Sequence, residues 1–178
     1  MRTPAISRLS FLFPRLTPPA SRGAALFEAL VGQARQPHWF GEGQVADTID
    51  GRFAVLATIT ALATVRLERG GAVARSAAVA LAERFVEAMD SEHRQLGIGD
   101  PALGKSVRKL VAALSRRVTL WRQAIEAGDG WDEAASDSLF RGTPPAPAAL
   151  DHVTRALRLV WDRLDATADD AVAQGRIG

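Results

Sequence analysis

The chain has no cysteine among its 178 residues, which excludes disulfide bonds and thiolate metal sites. Its three histidines, His38, His93 and His152, are scattered along the sequence, which argues against a histidine-rich metal site. Each could ligate haem, but isolated histidines on helical proteins are usually plain surface or core residues. The uncharged run from Phe53 to Val65 has 13 residues, whereas a membrane-spanning helix needs about 20. No nucleophile stands beside a base. These absences argue against an enzyme, and we expect no cofactor and no metal.

What is present is the composition of a folded domain. Hydrophobic residues make up 47% and charged residues 24% of the chain, a balance that excludes global disorder. A length of 178 residues fits one domain with a real core and is short for two. The net charge of +2 is too small to predict nucleic-acid binding by itself.

The basic charge is concentrated at the start of the chain, where residues 1–25 carry +4 and the rest carries −2. The apolar run in this segment is short and interrupted by prolines, which excludes a spanning helix or a secretory signal. We therefore divide the chain into a flexible basic tail, residues 1–20, and a helical domain, residues 21–178. The tail is either a floppy terminus or a weak contact with an anionic membrane surface. The residues that would make this membrane contact are Arg2, Arg8, Phe11, Phe13 and Arg15.

Hydrophobic periodicity predicts an all-α fold, a single-domain bundle of about six helices with no alternating β pattern. The predicted helices span residues 22–35, 73–96, 101–126, 131–140 and 147–172, and a second helix opens within Asp47–Phe53 and ends at Gly70. The second helix carries the uncharged run, so we expect it to form the centre of the core, with Asp47 or Asp50 as its N-cap. Apolar stripes on the third and fourth helices place Val79 and Val111 among the inward-facing residues.

The fourth predicted helix also has a basic face. Lys105, Lys109 and Arg116 fall within about 40° of one another at 100° per residue, and Arg108 lies beside them. This face is either an ordinary solvated surface or a contact with RNA, lipid headgroups or an acidic partner. Asp100 caps the same helix, which makes the turn before it short and rigid.

Residues 99–106, GDPALGKS, match the literal phosphate-binding loop pattern G-x-x-x-x-G-K-S. A true loop of this kind follows a buried β-strand, whereas Glu92 to Leu96 continues a polar helix. Asp100 would also point a negative charge at a polyphosphate, and Pro101 would remove one N–H donor from the cradle. The context therefore favours a capped helix–turn–helix, with nucleotide binding as the alternative.

Several short motifs stand in a distinctive order along the chain. They are Ala34–Pro37 (ARQP), Asp47–Thr48 (DT), Asp50–Phe53 (DGRF), Asp90, Leu96–Asp100 (LGIGD) and Gly104–Lys109 (GKSVRK). In order and spacing they resemble the ubiquinol–cytochrome c chaperone family. The resemblance covers about residues 24–140 and leaves out the tail and the last helix.

This resemblance implies a non-enzymatic assembly chaperone that binds newly made cytochrome b and promotes assembly of the cytochrome bc1 complex, respiratory complex III. It also implies a bacterial cytoplasmic protein, peripheral to the inner membrane, with the ribosome or a small partner protein as further contacts. We hypothesise that the basic face and the turn before it form the docking surface, positioned by the start of the second helix. The predicted partner-binding residues are Asp50, Arg52, Phe53, Asp100, Lys105, Arg108, Lys109 and Arg116.

Two other functions compete with this one. An RNA- or ribosome-contacting helical module would use the basic face, and its binding would weaken strongly with salt. A nucleotide-binding protein would use residues 99–106, and it would show saturable Mg·ATP binding that Lys105→Ala abolishes.

Overall fold

The computed structural model describes residues 23–95, 103–143 and 145–177, apart from the side chains of residues 90–106. Within these ranges the chain forms seven α-helices and no β-strand, which confirms the predicted all-α bundle. The helices are α1 (Ala24–Ala34), α2 (Ile49–Glu68), α3 (Ala72–Gln95), α4 (Leu103–Ala127), α5 (Trp131–Phe140), α6 (Pro147–Ala166) and α7 (Asp169–Ala173). Among these described helices, none is both long and apolar enough to cross a membrane. The predicted tail, residues 1–20, lies outside the described residues, so the domain boundary stays a prediction.

Helix α2 forms the centre of the bundle, as its uncharged run predicts. Every residue from Ala54 to Leu67 is buried, and α2 contacts each of the other six helices. A helix that is apolar all round is stable in water only when it is covered all round. The other helices therefore surround α2, and its two ends lie about 30 Å apart.

The start of α2 is fixed by a threonine, and the expectation that Asp47 or Asp50 supplies the cap is wrong. Thr48 is the N-cap residue, and its Oγ1 accepts a hydrogen bond of 3.1 Å from the Gly51 amide. Asp50 lies in the first turn, where its charge is favourable at the positive end of the helix. Gly51 packs so closely on Ala46 that a Cβ would lie 1.9 Å from the Ala46 carbonyl oxygen. The glycine of the DGRF motif is thus required by this close approach.

The last predicted helix, residues 147–172, is divided into α6 and α7. Thr167 and Ala168 have extended backbones, with φ, ψ of −93°, 137° and −62°, 147°. An extended residue cannot continue the helical hydrogen-bond ladder, so the carbonyl groups at the end of α6 need other donors. The side chain of Arg66, from the far end of α2, donates to two carbonyl groups at this corner, and Thr167 donates its amide to Leu164 and its hydroxyl to Arg163.

Arg66 joins the end of α2 to the α6–α7 corner. Its guanidinium donates to the carbonyl oxygens of Leu164 at 3.0 Å and Thr167 at 2.7 Å. It also donates to Asp169 Oδ1 at 2.9 Å, and Asp169 Oδ2 accepts a 2.7 Å bond from the Gly71 amide. Each nitrogen of this buried guanidinium therefore has an acceptor. We refer to Arg66, Asp169 and these backbone partners as the Arg66 cluster.

Two apolar side chains face solvent although their stripes predict burial. Val79 in α3 is 60% exposed, and Val111 in α4 is 46% exposed. Helix α3 instead buries the alanines Ala74 and Ala78, and small side chains allow neighbouring helices to pack closely. Helix α4 buries Leu114 and the residues in line with it, which leaves Val111 at the edge of the interface.

Candidate partner-binding cleft

A cleft of about 870 Å³ opens between the start of α2, the middle of α4 and the end of α5. Its lining combines charged side chains with an apolar floor. The lining residues are Asp50, Phe53 and Ala54 of α2; Ala113, Ser115, Arg116, Arg117, Thr119, Leu120 and Gln123 of α4; Asp137 and Ser138 of α5; and Arg141, directly after α5. Ligand pockets commonly measure about 300–1,000 Å³. The cleft is therefore large enough to accept several side chains of a partner.

Arg117 is a half-buried arginine in the lining of the cleft. Its Nη2 donates to the Ser138 carbonyl at 2.9 Å, and its Nη1 donates to the Ala113 carbonyl at 3.2 Å. The guanidinium also lies 5.8 Å from the centre of the Phe53 ring. Its Nε is buried and has no hydrogen-bond partner within the described part of the chain. One N–H donor of Arg117 is therefore left without an acceptor among the described residues.

The surroundings of Arg117 disfavour its positive charge. Burial lowers the pKa of Arg117, and the nearby charges of Arg116 and Arg141 lower it further. The guanidinium stays protonated at neutral pH because arginine is effectively always charged in proteins. The direction of the shift shows that positive charge is crowded here. An anion bound in the cleft would relieve that crowding.

Ser138 holds the α5 side of the cleft in place. Its hydroxyl oxygen accepts a 3.0 Å hydrogen bond from Nε1 of Trp121, which is fully buried. Trp121 also packs edge-on against Trp131 at the start of α5, with 5.2 Å between ring centres. These contacts connect α4 to α5 at the wall of the cleft.

Asp50 and Arg141 form an ion pair between the start of α2 and the end of α5. The Oδ2 to Nη2 distance is 2.8 Å, and the two side chains are 76% and 79% exposed. An exposed pair of this kind contributes about 0–1 kcal/mol to stability. Arg141 also has a backbone φ of +55°, in the left-handed region that costs an L-residue roughly 1–2 kcal/mol. Arg141 is also the C-cap residue of α5, a position at which glycine would be less strained.

Three of the predicted partner-binding residues, Asp50, Phe53 and Arg116, are brought together in the cleft. Arg52 lies outside it, where its Nε pairs with Asp47 at 2.7 Å and its guanidinium lies over Phe40.

The other predicted residues belong to α4 and the segment before it. Arg108 and Lys109 are exposed and precede the cleft along the helix. Lys109 is two helical turns before Arg116 on the same face, so the basic face leads toward the cleft. Asp100 and the side chain of Lys105 lie outside the described residues.

Sequence reasoning missed Arg117 and Arg141. The position of Arg117, about 100° round the helix from Arg116 and next to the apolar stripe, is a signal for partial burial. Arg141 is visible in the sequence only as part of the helix-ending segment before Gly142 and two prolines. Its importance depends on α2 and α5 meeting, which no local pattern encodes.

The ubiquinol-cytochrome C chaperone family model matches residues 42–177. The chain belongs to this family. The match confirms the resemblance seen in the motifs and extends it, because it includes α6 and α7. It begins after the Ala34–Pro37 motif, which therefore lies outside the matched region.

One solved structure shares the fold of this chaperone-family member. It is the crystal structure of the Cbp3 homolog from Brucella abortus, with a TM-score of 0.75 and 28% sequence identity. The similarity covers 88% of this chain and 87% of that chain. No curated protein sequence matches the chain.

The phosphate-loop pattern has a helix before it in this chaperone-family protein. The described part of the preceding segment is α3, which continues through Gln95, and Gly104 to Ser106 lie in the first turn of α4. A phosphate-binding loop instead joins a strand to a helix. The described residues therefore give no structural support to the nucleotide-binding alternative.

The fold also brings together two histidines that are 114 residues apart. His38 Nδ1 lies 3.1 Å from His152 Nε2, which joins the loop after α1 to α6. Burial and the neighbouring His152 lower the pKa of His38, while the charge of Glu42 partly opposes this shift. Within the described ranges, no group of three or more histidine, aspartate or glutamate side chains is placed to hold a metal ion. The pair is therefore explained as a hydrogen bond between loop and helix.

Proposed function

We propose that this protein is a non-enzymatic assembly chaperone that binds newly made cytochrome b and promotes assembly of the cytochrome bc1 complex. The observation that carries the proposal is the family match over residues 42–177, which spans α2 to α7. The likeness to the Brucella Cbp3 homolog along 88% of the chain supports it.

An assembly chaperone must hold an unassembled membrane protein reversibly. Such a client exposes apolar segments and charged connecting loops until it is packed. The cleft offers both kinds of contact, because Phe53 and Leu120 line it together with the exposed charges of Arg116 and Arg141. Exposed charged contacts favour fast encounter and release over very tight binding. Client docking at the cleft therefore suits the proposed role.

The basic face of α4 would extend this docking surface. Arg108 and Lys109 are exposed and available to a partner, and Arg52 would help to fix the start of α2 through its pair with Asp47. Lys105 and Asp100 belong to the same proposed surface on sequence grounds alone.

The proposed site of action is the cytoplasmic side of the inner membrane. In this proposal, the basic residues of the tail, residues 1–20, attract anionic lipid headgroups. The ribosome and a small partner protein are further proposed contacts, since a client would be met while it is being made.

Deletion of the gene in the native host tests the function. We expect a reduced-minus-oxidised spectrum of the membranes to lose the b-type and c-type signals of complex III while the signals of other oxidases remain. Unchanged spectra would contradict the assembly role.

Rescue of the deletion tests the docking surface separately. We expect a Lys109→Glu and Arg116→Glu double variant to be helical but to restore complex III poorly, because two exposed cations of the surface become anions. The matched control is Arg155→Glu, an exposed arginine on α6 outside the cleft lining. If the double variant rescues as well as the control, the docking surface is wrong although the function stands.

A further inference from the structure

The cleft holds more positive charge than its own acceptors satisfy. Arg116, Arg117 and Arg141 all line it, and Arg117 Nε is buried without a hydrogen-bond partner in the described residues. The carboxylate that faces Arg141, Asp50, comes from the protein itself. The exposed guanidinium groups of Arg116 and Arg141 would be the donors for an additional carboxylate from a partner, whereas the buried Arg117 Nε is closed to it and Arg117 adds only its positive charge.

We propose that the cleft binds an acidic segment of the client protein, with one carboxylate of that segment displacing Asp50 from Arg141. An apolar side chain next to the carboxylate packs on Phe53 and Leu120 at the floor. The identity of the client rests on the proposed function, whereas the chemistry of the cleft does not.

The displacement is feasible because the internal ion pair is weak and open to solvent. Asp50 and Arg141 are 76% and 79% exposed, so water and incoming ions reach both partners. Arginine presents a planar fork of donors that binds a carboxylate through two parallel hydrogen bonds. A client carboxylate can therefore take over the place of Asp50 without unfolding any element.

The backbone of Arg141 supports a binding role for its side chain. A non-glycine residue at φ +55° is strained, and such strain is often found at functional sites. The position follows α5 directly and precedes Gly142, which also has a positive φ. The strained turn projects the guanidinium toward the start of α2, where it meets Asp50.

The lining favours an acidic protein segment over RNA or a lipid surface. A chain that carries a phosphate at every nucleotide would bring negative charges against Asp50 and Asp137 as well as against the arginines, whereas a protein segment can present a single carboxylate to Arg141 alone. Phe53, Ala54 and Leu120 provide an apolar floor that a phosphate backbone does not fill. A concave site between helices also fits a side chain better than it fits a flat layer of headgroups. Separated carboxylates with apolar neighbours match all of these features.

Fluorescence anisotropy with defined peptides tests the proposal. The probe is a short fluorescein-labelled peptide of glutamate, serine and leucine, and the comparison peptide has glutamine in place of glutamate. We expect saturable binding of the acidic peptide and roughly tenfold weaker binding of the amide peptide, since charged hydrogen bonds are lost.

Substitutions of cleft residues then show which side chains bind the peptide. Arg141→Gln should weaken the acidic peptide about tenfold, and Arg116→Gln about threefold, while Arg155→Gln on α6 should leave it unchanged. Asp50→Asn should tighten binding about two- to fivefold, because the internal competitor for Arg141 is gone. A gain of affinity cannot come from damage to the fold.

Three results would overturn the inference. They are equal binding of the acidic and amide peptides, no effect of Arg141→Gln, and tighter binding of an oligouridylate or of anionic vesicles through the same arginines. Any of these would show that the cleft does not select a carboxylate on a protein segment.

Peptides from the connecting loops of the host cytochrome b separate this inference from the proposed function. If the synthetic acidic peptide binds and no cytochrome b loop does, the cleft chemistry stands and the proposed client at this site fails. If gene deletion removes complex III and the acidic peptide does not bind, the function stands and the cleft inference fails.

Discussion

The two ends of α2 each meet an arginine and an aspartate, and the two clusters are built in opposite ways. At the end of α2, the Arg66 side chain is only 11% exposed, and it donates to Asp169 and to two carbonyl oxygens. At the start of α2, the Arg141 side chain is 79% exposed and pairs with Asp50. Nearby Arg117 keeps a buried Nε without a partner in the described chain.

This difference separates the Arg66 cluster, which is structural, from Asp50, Arg117 and Arg141, which we call the binding cluster. Burial strengthens the hydrogen bonds of Arg66, and each nitrogen of its guanidinium already has an acceptor. The Arg66 cluster therefore has few donors left for a ligand. Exposure weakens the pair at the other end, and crowding of three arginines leaves positive charge to be neutralised. The family relationship alone would not distinguish the two ends, whereas their burial and hydrogen bonding do.

The largest expected effect comes from breaking the structural cluster. Arg66→Met should lower the free energy of unfolding by about 3 kcal/mol, because buried hydrogen bonds of a charged group are lost and the α6–α7 corner loses its donor. Urea unfolding followed by circular dichroism measures the change. Peptide binding at the cleft, measured where the variant is folded, should stay within twofold of the parent.

Arg155→Met is the control for losing an arginine ion pair at the surface. Arg155 pairs with Asp151 in α6, and the two side chains are 69% and 65% exposed. Its expected cost is below about 0.5 kcal/mol. Equal costs for Arg66→Met and Arg155→Met would remove the distinction between the two clusters.

Local patterns in the sequence predict the elements well. The uncharged run of α2 predicts its central place, and the all-α bundle follows from the periodicity of the helices. The N-cap of α2 is Thr48, whereas the sequence predicts Asp47 or Asp50, and the cap is hard to choose because all three residues are good caps. Val79 faces solvent because the partner helices approach the alanine side of α3.

The structural features that the sequence does not predict depend on contacts between residues that are far apart along the chain. Arg66 and Asp169 are 103 residues apart, and His38 and His152 are 114 residues apart. The cleft likewise needs three helices to meet before Arg141 faces Asp50. The sequence places Asp50, Phe53 and Arg116 in the candidate site through motif and helical face, and it gives no such signal for Arg141.

The next effect in size should come from acid, which should weaken the Arg66 cluster. The Gly71 amide and Arg66 hold the pKa of Asp169 below its ordinary value of 3.8. A carboxylate with a lowered pKa stabilises the fold above pH 3.8, and this contribution is lost as the pH falls through the lower pKa of the folded state. We therefore expect the stability gap between the parent and Asp169→Asn, measured by urea unfolding, to shrink below pH 3.8.

The same pH series on Asp151→Asn shows how much acid sensitivity an exposed carboxylate of α6 contributes. A gap for Asp169→Asn that stays constant from pH 7 to pH 3 would mean that this carboxylate does not hold the α6–α7 corner through its charge.

At Arg141 the effect on stability should be smaller than at Arg66, and the effect on binding should be larger. Arg141→Gly removes the left-handed strain and an exposed ion pair, whereas Arg141→Ala removes the pair and keeps the strain. The free energy of unfolding should therefore be about 1 kcal/mol higher for the glycine variant than for the alanine variant. Both variants should lose most of their affinity for the acidic peptide. If the glycine variant were the less stable one, or if it bound the peptide as well as the parent, Arg141 would belong with Arg66 as a structural residue.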